Sequence, residues 1–415
     1  MKYWHKAIIF RLLLAFSLLM VLQTALLPAC NAQTFTFPNG QKRENVNFSF
    51  VKNLIIIPIH INGKGPFNFI LDTGVNPLII TDPSIKDSLN ITGLRPIKIS
   101  GFGEGGEIDA FYSAIASVSV GNALVNSIPT VILKEDLFNL SNHIGVKIYG
   151  LIGYNFFNSF VVKVNYVTKK LTFWTPNLNK KIKGEKIPLE FLDNKPYINT
   201  KIETENGITD VKLIVDCGAS HALSLEKQNE SEFPLPSKNI SANLGIGISG
   251  LISGNIGRVK KLWLGNFTFD NVLTSFPNYN DAAIKTLQPL RNGNLGADVL
   301  KHFNVVYDYQ KYSMYLQKNE NFALPFEHDM SGMEIYITSG DSHCVIGRIE
   351  KESPAENAGL LVNDIIIAVN FKPVETYSLD DISNLFKSDN GKTVLVEIFR
   401  DNKTFIKLLK LKKRI

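Results

Sequence analysis

Phe67-Asn68-Phe69-Ile70-Leu71-Asp72-Thr73-Gly74 has a counterpart 144 residues later, Val211-Lys212-Leu213-Ile214-Val215-Asp216-Cys217-Gly218; in both, an apolar run ends in Asp-x-Gly. An isolated Asp-x-Gly is ordinary turn chemistry, so the surroundings carry the weight. Asn62-Gly63, Gly101, Gly103, Gly106 and Gly121-Asn122 recur at the same offset as Asn206-Gly207, Gly245, Gly247, Gly250 and Gly265-Asn266. Gly150-Leu151-Ile152-Gly153, with Phe160 and Tyr166, matches Gly293-Asn294-Leu295-Gly296, with Phe303 and Tyr309, at an offset of 143. Chance glycines would not hold one spacing for so long, so the chain contains an internal duplication.

Each copy reads as β structure. Residues 54–61, the pair Asn62-Gly63 and residues 67–71 form a hairpin pattern, because Asn-Gly accepts the positive φ of a type I′ turn. Residues 197–202, Asn206-Gly207 and residues 211–215 repeat it. The stretches 161–166, 171–174, 305–309 and 313–316 alternate apolar and polar residues, as half-buried strands do. The Asn- and Lys-rich run 175–186 reads as a linker between the copies, and a second break falls near 323–332.

A strand that ends in an aspartate, a glycine turn and a later apolar-apolar-Gly segment, all present twice, resembles the aspartic proteases, and in particular their retropepsin-like branch. The resemblance spans about residues 46–320. It implies a mainly β, bilobal pepsin/retropepsin-like fold built from tandem duplicated lobes, with Asp72 and Asp216 as the catalytic pair. Thr73, Gly74, Cys217, Gly218 and Ser220 then belong to the active-site loops. Two carboxylates facing each other cannot both ionise cheaply, so they share a proton and titrate as a pair. The ionised member would take a proton from a water attacking a peptide carbonyl, while its protonated partner donates to the developing oxyanion. The resemblance implies no metal and no cofactor. It also places substrate-binding flaps at Gly101-Phe102-Gly103 and Gly245-Ile246-Gly247, one per lobe. Neither glycine loop has the Gly-Lys-Ser/Thr ending of a phosphate cradle.

The copies depart from the family motif in different ways. Asp72-Thr73-Gly74-Val75-Asn76 keeps the threonine but lacks the usual small residue and serine, whereas Asp216-Cys217-Gly218-Ala219-Ser220 does the reverse. In the family, the threonine hydroxyls of both lobes bond across the axis. A thiol is a weaker donor, so a looser interlock is expected at Cys217. Val75 and Ala219 also cannot supply the hydroxyl that favours carboxylate ionisation in pepsin-like enzymes. A dyad with raised apparent pKa values and an optimum from mildly acidic to neutral pH follows.

The remaining composition bounds the reading. The 415 residues, 45% hydrophobic and 20% charged, suffice for two or three cores. Residues 1–6 are basic and residues 7–27 largely apolar, the layout of a signal peptide over residues 1–32; the run after Arg11 is short for a membrane span. Cleavage after Ala32 would release the chain into the periplasm or beyond. Cleavage before Cys30 would leave a lipid anchor there, since Leu26-Leu27-Pro28-Ala29-Cys30 resembles a lipobox apart from its proline. Losing Lys2, Lys6 and Arg11 takes the basic residues from 44 to 41 and the net charge from +6 to +3, too small a balance to argue for nucleic acid. Cys217 and Cys344 then remain, in segments assigned to different domains, so no disulfide framework is expected, and the seven scattered histidines show no zinc spacing.

Beyond residue 332 the pattern changes. Ser353-Pro354-Ala355-Glu356-Asn357-Ala358-Gly359-Leu360, followed by Asn363-Asp364-Ile365-Ile366-Ile367-Ala368-Val369-Asn370, resembles the middle of a bacterial PDZ domain. The resemblance implies an α+β module with helices starting at Pro354 and near Leu379, and a closing hairpin turning at Asp401-Asn402. It also implies capture of a protein C-terminus at Gly332, Met333, Glu334 and Ile335. The expected organisation is therefore lobe one over 33–178, lobe two over 179–322 and the PDZ domain over 323–415. The functional expectation is an exported endopeptidase acting on peptides or proteins. A catalytically inactive peptide-binding or scaffold protein that has kept the fold is the alternative.

Overall fold

Leu54–Ile61 is buried at nearly every position and turns through Asn62-Gly63 into Lys64–Leu71. Both turn residues have positive φ, 49° and 73°, as a type I′ turn demands. The computed structural model describes residues 34–101, 103–137, 139–178, 181–228, 231–247, 249–278, 291–338 and 343–415. The expected signal segment with Cys30 and Ala32, and the expected flap residue Phe102, lie outside the described residues.

In each half an eight-stranded sheet forms with the same strand order, so the duplication seen in the glycines is one of topology too. The strand leading to Asp72, Lys64–Leu71, lies between its hairpin partner and the short parallel strand Gly150–Ile152. In lobe two Gly207–Val215 lies likewise between Lys195–Thr204 and Gly293–Leu295. The halves are joined by a six-stranded sheet to which both contribute, with Val161–Asn165 pairing Phe303–Asp308 at its centre. One apolar cluster runs through both lobes and this shared sheet, including Val164, Val305, Leu71 and Val215. The lobes are therefore fixed by a common core as well as by the linker.

The C-terminal module has its own core, from Met330 to Leu411. Its sheet runs Met333–Ile337, Cys344–Ile349, Ile365–Val369, Thr393–Arg400 and Lys403–Lys410. Local chemistry explains its helices. Ser353 caps Pro354–Asn357 by accepting from the Glu356 N–H at 3.2 Å, and Gly359, at φ 71°, ends that turn. Ser378 and Asp381 form a capping box at the start of Leu379–Phe386. Asp364 is buried against the Arg400 guanidinium at 2.5 Å.

Candidate active site

Each candidate carboxylate sits just past the end of its strand, where the parallel neighbour still holds the backbone. The N–H of Asp72 donates to Ile152 O and that of Asp216 to Leu295 O, both at 2.9 Å. The loops then turn tightly. The Gly74 N–H donates to Asp72 Oδ1 at 2.7 Å, and the Gly218 N–H to Asp216 Oδ1 at 3.0 Å. The two carboxyls meet across the lobe boundary: a Cβ on Gly74 would lie 3.2 Å from Asp72 Oδ1 and 3.4 Å from Asp216 Oδ2. Gly218 is obligatory for this approach, because a Cβ there would lie 2.2 Å from Asp72 Cγ. Burial and the adjoining Asp216 carboxylate hold the Asp72 carboxyl well above the usual range.

The pair is not symmetric. Asn294 Nδ2 donates to Asp216 Oδ2 at 3.1 Å, while the matching position of lobe one is Leu151, which has no donor to give. Asp216 thus accepts two hydrogen bonds where Asp72 accepts one, and Asp72, 8% exposed, lies in the drier surroundings. Asn294 escaped the sequence reading because it stands inside an otherwise apolar-apolar-Gly segment. The mismatch with Leu151 was the signal available.

Beneath the carboxylates the lobes interlock. Thr73 Oγ1 donates to Val215 O at 2.6 Å and accepts from the Cys217 N–H at 3.0 Å. Cys217 Sγ donates to Leu71 O at 3.2 Å. Thr73 and Cys217 are both fully buried. The interlock expected to be loose is therefore reciprocal, with the thiol reaching the carbonyl that a hydroxyl would take. Burial, then the charge of Asp72, push the Cys217 thiol up, so it stays protonated and keeps its S–H to donate. Ser220 is exposed at the end of its loop, and its carbonyl accepts from Asn53 Nδ2 at 3.0 Å. Asn53 also donates to Asp298 Oδ1 at 2.9 Å, so a lobe-one turn braces the lobe-two loop.

The two glycine loops meet over the pair. Gly105 N–H donates to Ser249 O at 2.6 Å, Glu104 N–H to Leu251 O at 2.9 Å and Gly101 N–H to Ser249 Oγ at 3.0 Å. Gly103 takes φ 134°, and a Cβ on it would strike Gly250 O at 2.7 Å. Only glycine permits tips to touch this closely. Ile246 packs across onto the lobe-one cluster of Val75 and Ile79. Gly101, Gly245, Ile246 and Gly247 share with Asp72 and Asp216 the lining of one cavity of about 980 Å³.

Further polar groups line the wall. Arg291 and Glu226 form a buried pair at 2.9 and 3.1 Å. The matching positions of lobe one are Thr81 and Ile148, so this pair belongs to lobe two alone. His221, near Asp216 and Asp298, is held neutral by burial, which lowers its pKa. Met333, Glu334 and Ile335 line the same cavity, whereas Gly332 packs against Ser353.

Residues 57–156 match the family model of an aspartyl protease, and residues 345–400 that of a PDZ domain. The chain thus contains an aspartyl protease domain and a C-terminal PDZ domain within a β-rich framework. The first match contains Asp72 and the lobe-one glycine loop. Lobe two lies outside it and is tied to it by the repeated topology.

Proposed function

We propose that this chain is an exported aspartic endopeptidase that hydrolyses peptide bonds with a water activated between Asp72 and Asp216. The observation that carries this reading is the pair itself: two carboxyls opposed across a lobe boundary, each with one oxygen held by the amide of its own Gly, under two touching flaps. The asymmetry assigns the roles. Asp216, bonded by Gly218 and Asn294, is the base that takes the proton of the attacking water. Asp72 holds the shared proton and donates it to the carbonyl oxygen as that oxygen gains charge. The paired glycine loops shed water from the cleft. Cys217, the sharpest departure from the family motif, keeps the interlock, so it offers no ground for the inactive reading. The basic-then-apolar N-terminal segment supports export, either as a soluble chain or anchored through Cys30.

The test is an assay of the secreted mature chain on a mixed peptide library from acid to neutral pH. A peptide bearing a tetrahedral hydroxyl in place of the scissile carbonyl is added as inhibitor. Cleavage that this analogue suppresses is expected; no cleavage at any pH would favour the binding-protein alternative.

The pH profile gives a sharper expectation. With Asp72 held high, the shared proton persists toward neutrality, so activity extends to mildly acidic and neutral pH. Asn294→Leu removes a hydrogen bond to the Asp216 carboxylate, worth about 1.5–3 kcal/mol, so kcat/KM is expected to fall by roughly 10- to 100-fold. An unchanged kcat/KM would show that Asn294 plays no part in setting the dyad.

A further inference from the structure

We infer that the PDZ domain is a structural part of the active site: through Asp380 it holds the lobe-one turn Lys52-Asn53, and Asn53 positions the lobe-two loop that carries Asp216. The inference rests on the protease reading and adds two positioning residues to it.

Lys52 and Asn53 form the turn between strands Ser49–Val51 and Leu54–Ile61, with φ of 47° and 63°. Three parts of the chain are bonded to these two residues. From lobe two, the Ser220 carbonyl and Asp298 Oδ1 accept from Asn53 Nδ2 at 3.0 and 2.9 Å, and Lys301 Nζ donates to Asn53 Oδ1 at 3.2 Å. From the PDZ domain, Asp380 Oδ1 accepts from the Lys52 N–H at 2.8 Å. From lobe one itself, the His143 carbonyl accepts from Lys52 Nζ at 2.5 Å. The turn is therefore a junction at which the module and the lobe-two loop share one support.

Asn53 spans the two segments that frame Asp216. One is the loop ending at Ser220; the other is the start of helix Ala297–Leu300, whose Ala297 N–H donates to Ala219 O at 2.8 Å. Asp216 accepts the Gly218 N–H inside that loop, so a shift of Ser220 moves the support of the carboxylate. The matching turn of lobe two, Asp193-Asn194, has the same φ pattern, 49° and 63°, but both its residues are exposed, whereas Lys52 and Asn53 are half-buried. The module is seated well enough to act as an anchor. Helix Leu140–Ile144 packs on strand Met333–Ile337, the rings of His143 and Tyr336 lie 6.2 Å apart, and a Cβ on Gly145 would meet Leu379 Cβ at 2.8 Å. Asp380 stands in the first turn of helix Leu379–Phe386, which its capping box fixes. A misplacement of about 1 Å at a catalytic group costs on the order of 10²-fold in rate, which sets the scale of the effect.

The test uses the full mature chain and reads rate and hydrogen exchange separately. Asn53→Gly keeps the positive φ and removes the side-chain amide. Its kcat is expected to fall about tenfold or more with KM within about threefold, and a kcat within about twofold of wild type overturns the inference. Asp380→Ala should lower kcat about fivefold, whereas Asp380→Asn, which keeps an acceptor for the Lys52 N–H, should stay within about twofold. Equal losses in these two variants would refute the route through this bond. In the variant carrying both Asn53→Gly and Asp380→Ala the losses should not multiply, because the residues act in series; a loss equal to the product counts against it. Exchange of the amides over residues 213–222 gives an answer without turnover. Asp380→Ala should speed it about threefold or more, while Glu334→Ala, which cuts the module's bond to Asn243 at 2.9 Å, leaves it within about twofold. Unchanged exchange in Asp380→Ala, or an equal rise in both variants, overturns the inference. A wild type that cleaves nothing would sink the protease reading, and the exchange result would still decide whether the module steadies this loop.

Discussion

Asp72→Asn and Asp216→Asn each lower kcat/KM by at least about 10³-fold while leaving the fold intact, because proton transfer by a positioned group contributes about 10²–10⁴-fold and both groups act in one step. Asparagine is the fitting probe. Its Oδ1 can still accept from the Gly74 or Gly218 N–H, which sit at 2.7 and 3.0 Å from the native carboxylates, so the loops keep their shape. Neither amide can take the proton of water or deliver one to an oxyanion. The loss should fall on kcat, with KM little changed, because the substrate is held by the flaps and the cleft walls. Stability provides a second readout with a definite sign. The Asp72 carboxyl is held above its ordinary value by burial and by Asp216, so its contribution to folding is complete in acid and is lost as pH rises toward the folded pKa. Asp72→Asn abolishes that loss. The variant should therefore melt at the same temperature or higher than wild type near neutral pH. Activity retained within about tenfold of wild type in either variant would place the chemistry elsewhere.

Thr73→Val is the second substitution with a large expected effect, on stability. Valine keeps the shape but leaves the Val215 carbonyl and the Cys217 N–H buried without their partner, now met at 2.6 and 3.0 Å. Each orphaned group costs about 1–3 kcal/mol, so a loss of roughly 2–6 kcal/mol is expected. Cys217→Val removes one weaker bond, from sulfur to Leu71 O, and should cost about 1 kcal/mol. Urea denaturation of the three proteins resolves the difference as shifts in midpoint. Equal losses would mean that the two sides of the interlock carry the same load, contrary to the geometry. Because the same loops aim the carboxylates, the threonine variant should also lose activity.

The hairpin turning at Asn62-Gly63, the capped helices after Ser353 and Ser378 and the closing hairpin of the PDZ module were legible because local chemistry writes them. A type I′ turn needs residues that accept positive φ, and a helix start needs a side-chain acceptor. The two Asp-x-Gly turns and the glycine loops were legible for a different reason: a duplication repeats them at one offset, and repetition separates them from ordinary turns. The flap pairing was foreshadowed by the same repeat, while the contacts of Gly105 with Ser249 and Glu104 with Leu251 needed the folded chain.

From its sequence alone, this chain could be read as two β lobes that each end a strand in an aspartate, followed by a PDZ-like module, since periodicity, turn residues and repeated glycines are properties of neighbours along the chain. Only the tertiary structure could show that Asn294 reaches Asp216, that Asn53 braces the loop at Ser220, and that Met333 and Ile335 of the C-terminal module line the same cavity as the two aspartates. The physical reason is that hydrogen bonds and shared cavities depend on distance in space, and side chains remote in sequence acquire these roles only where the packed core brings them together.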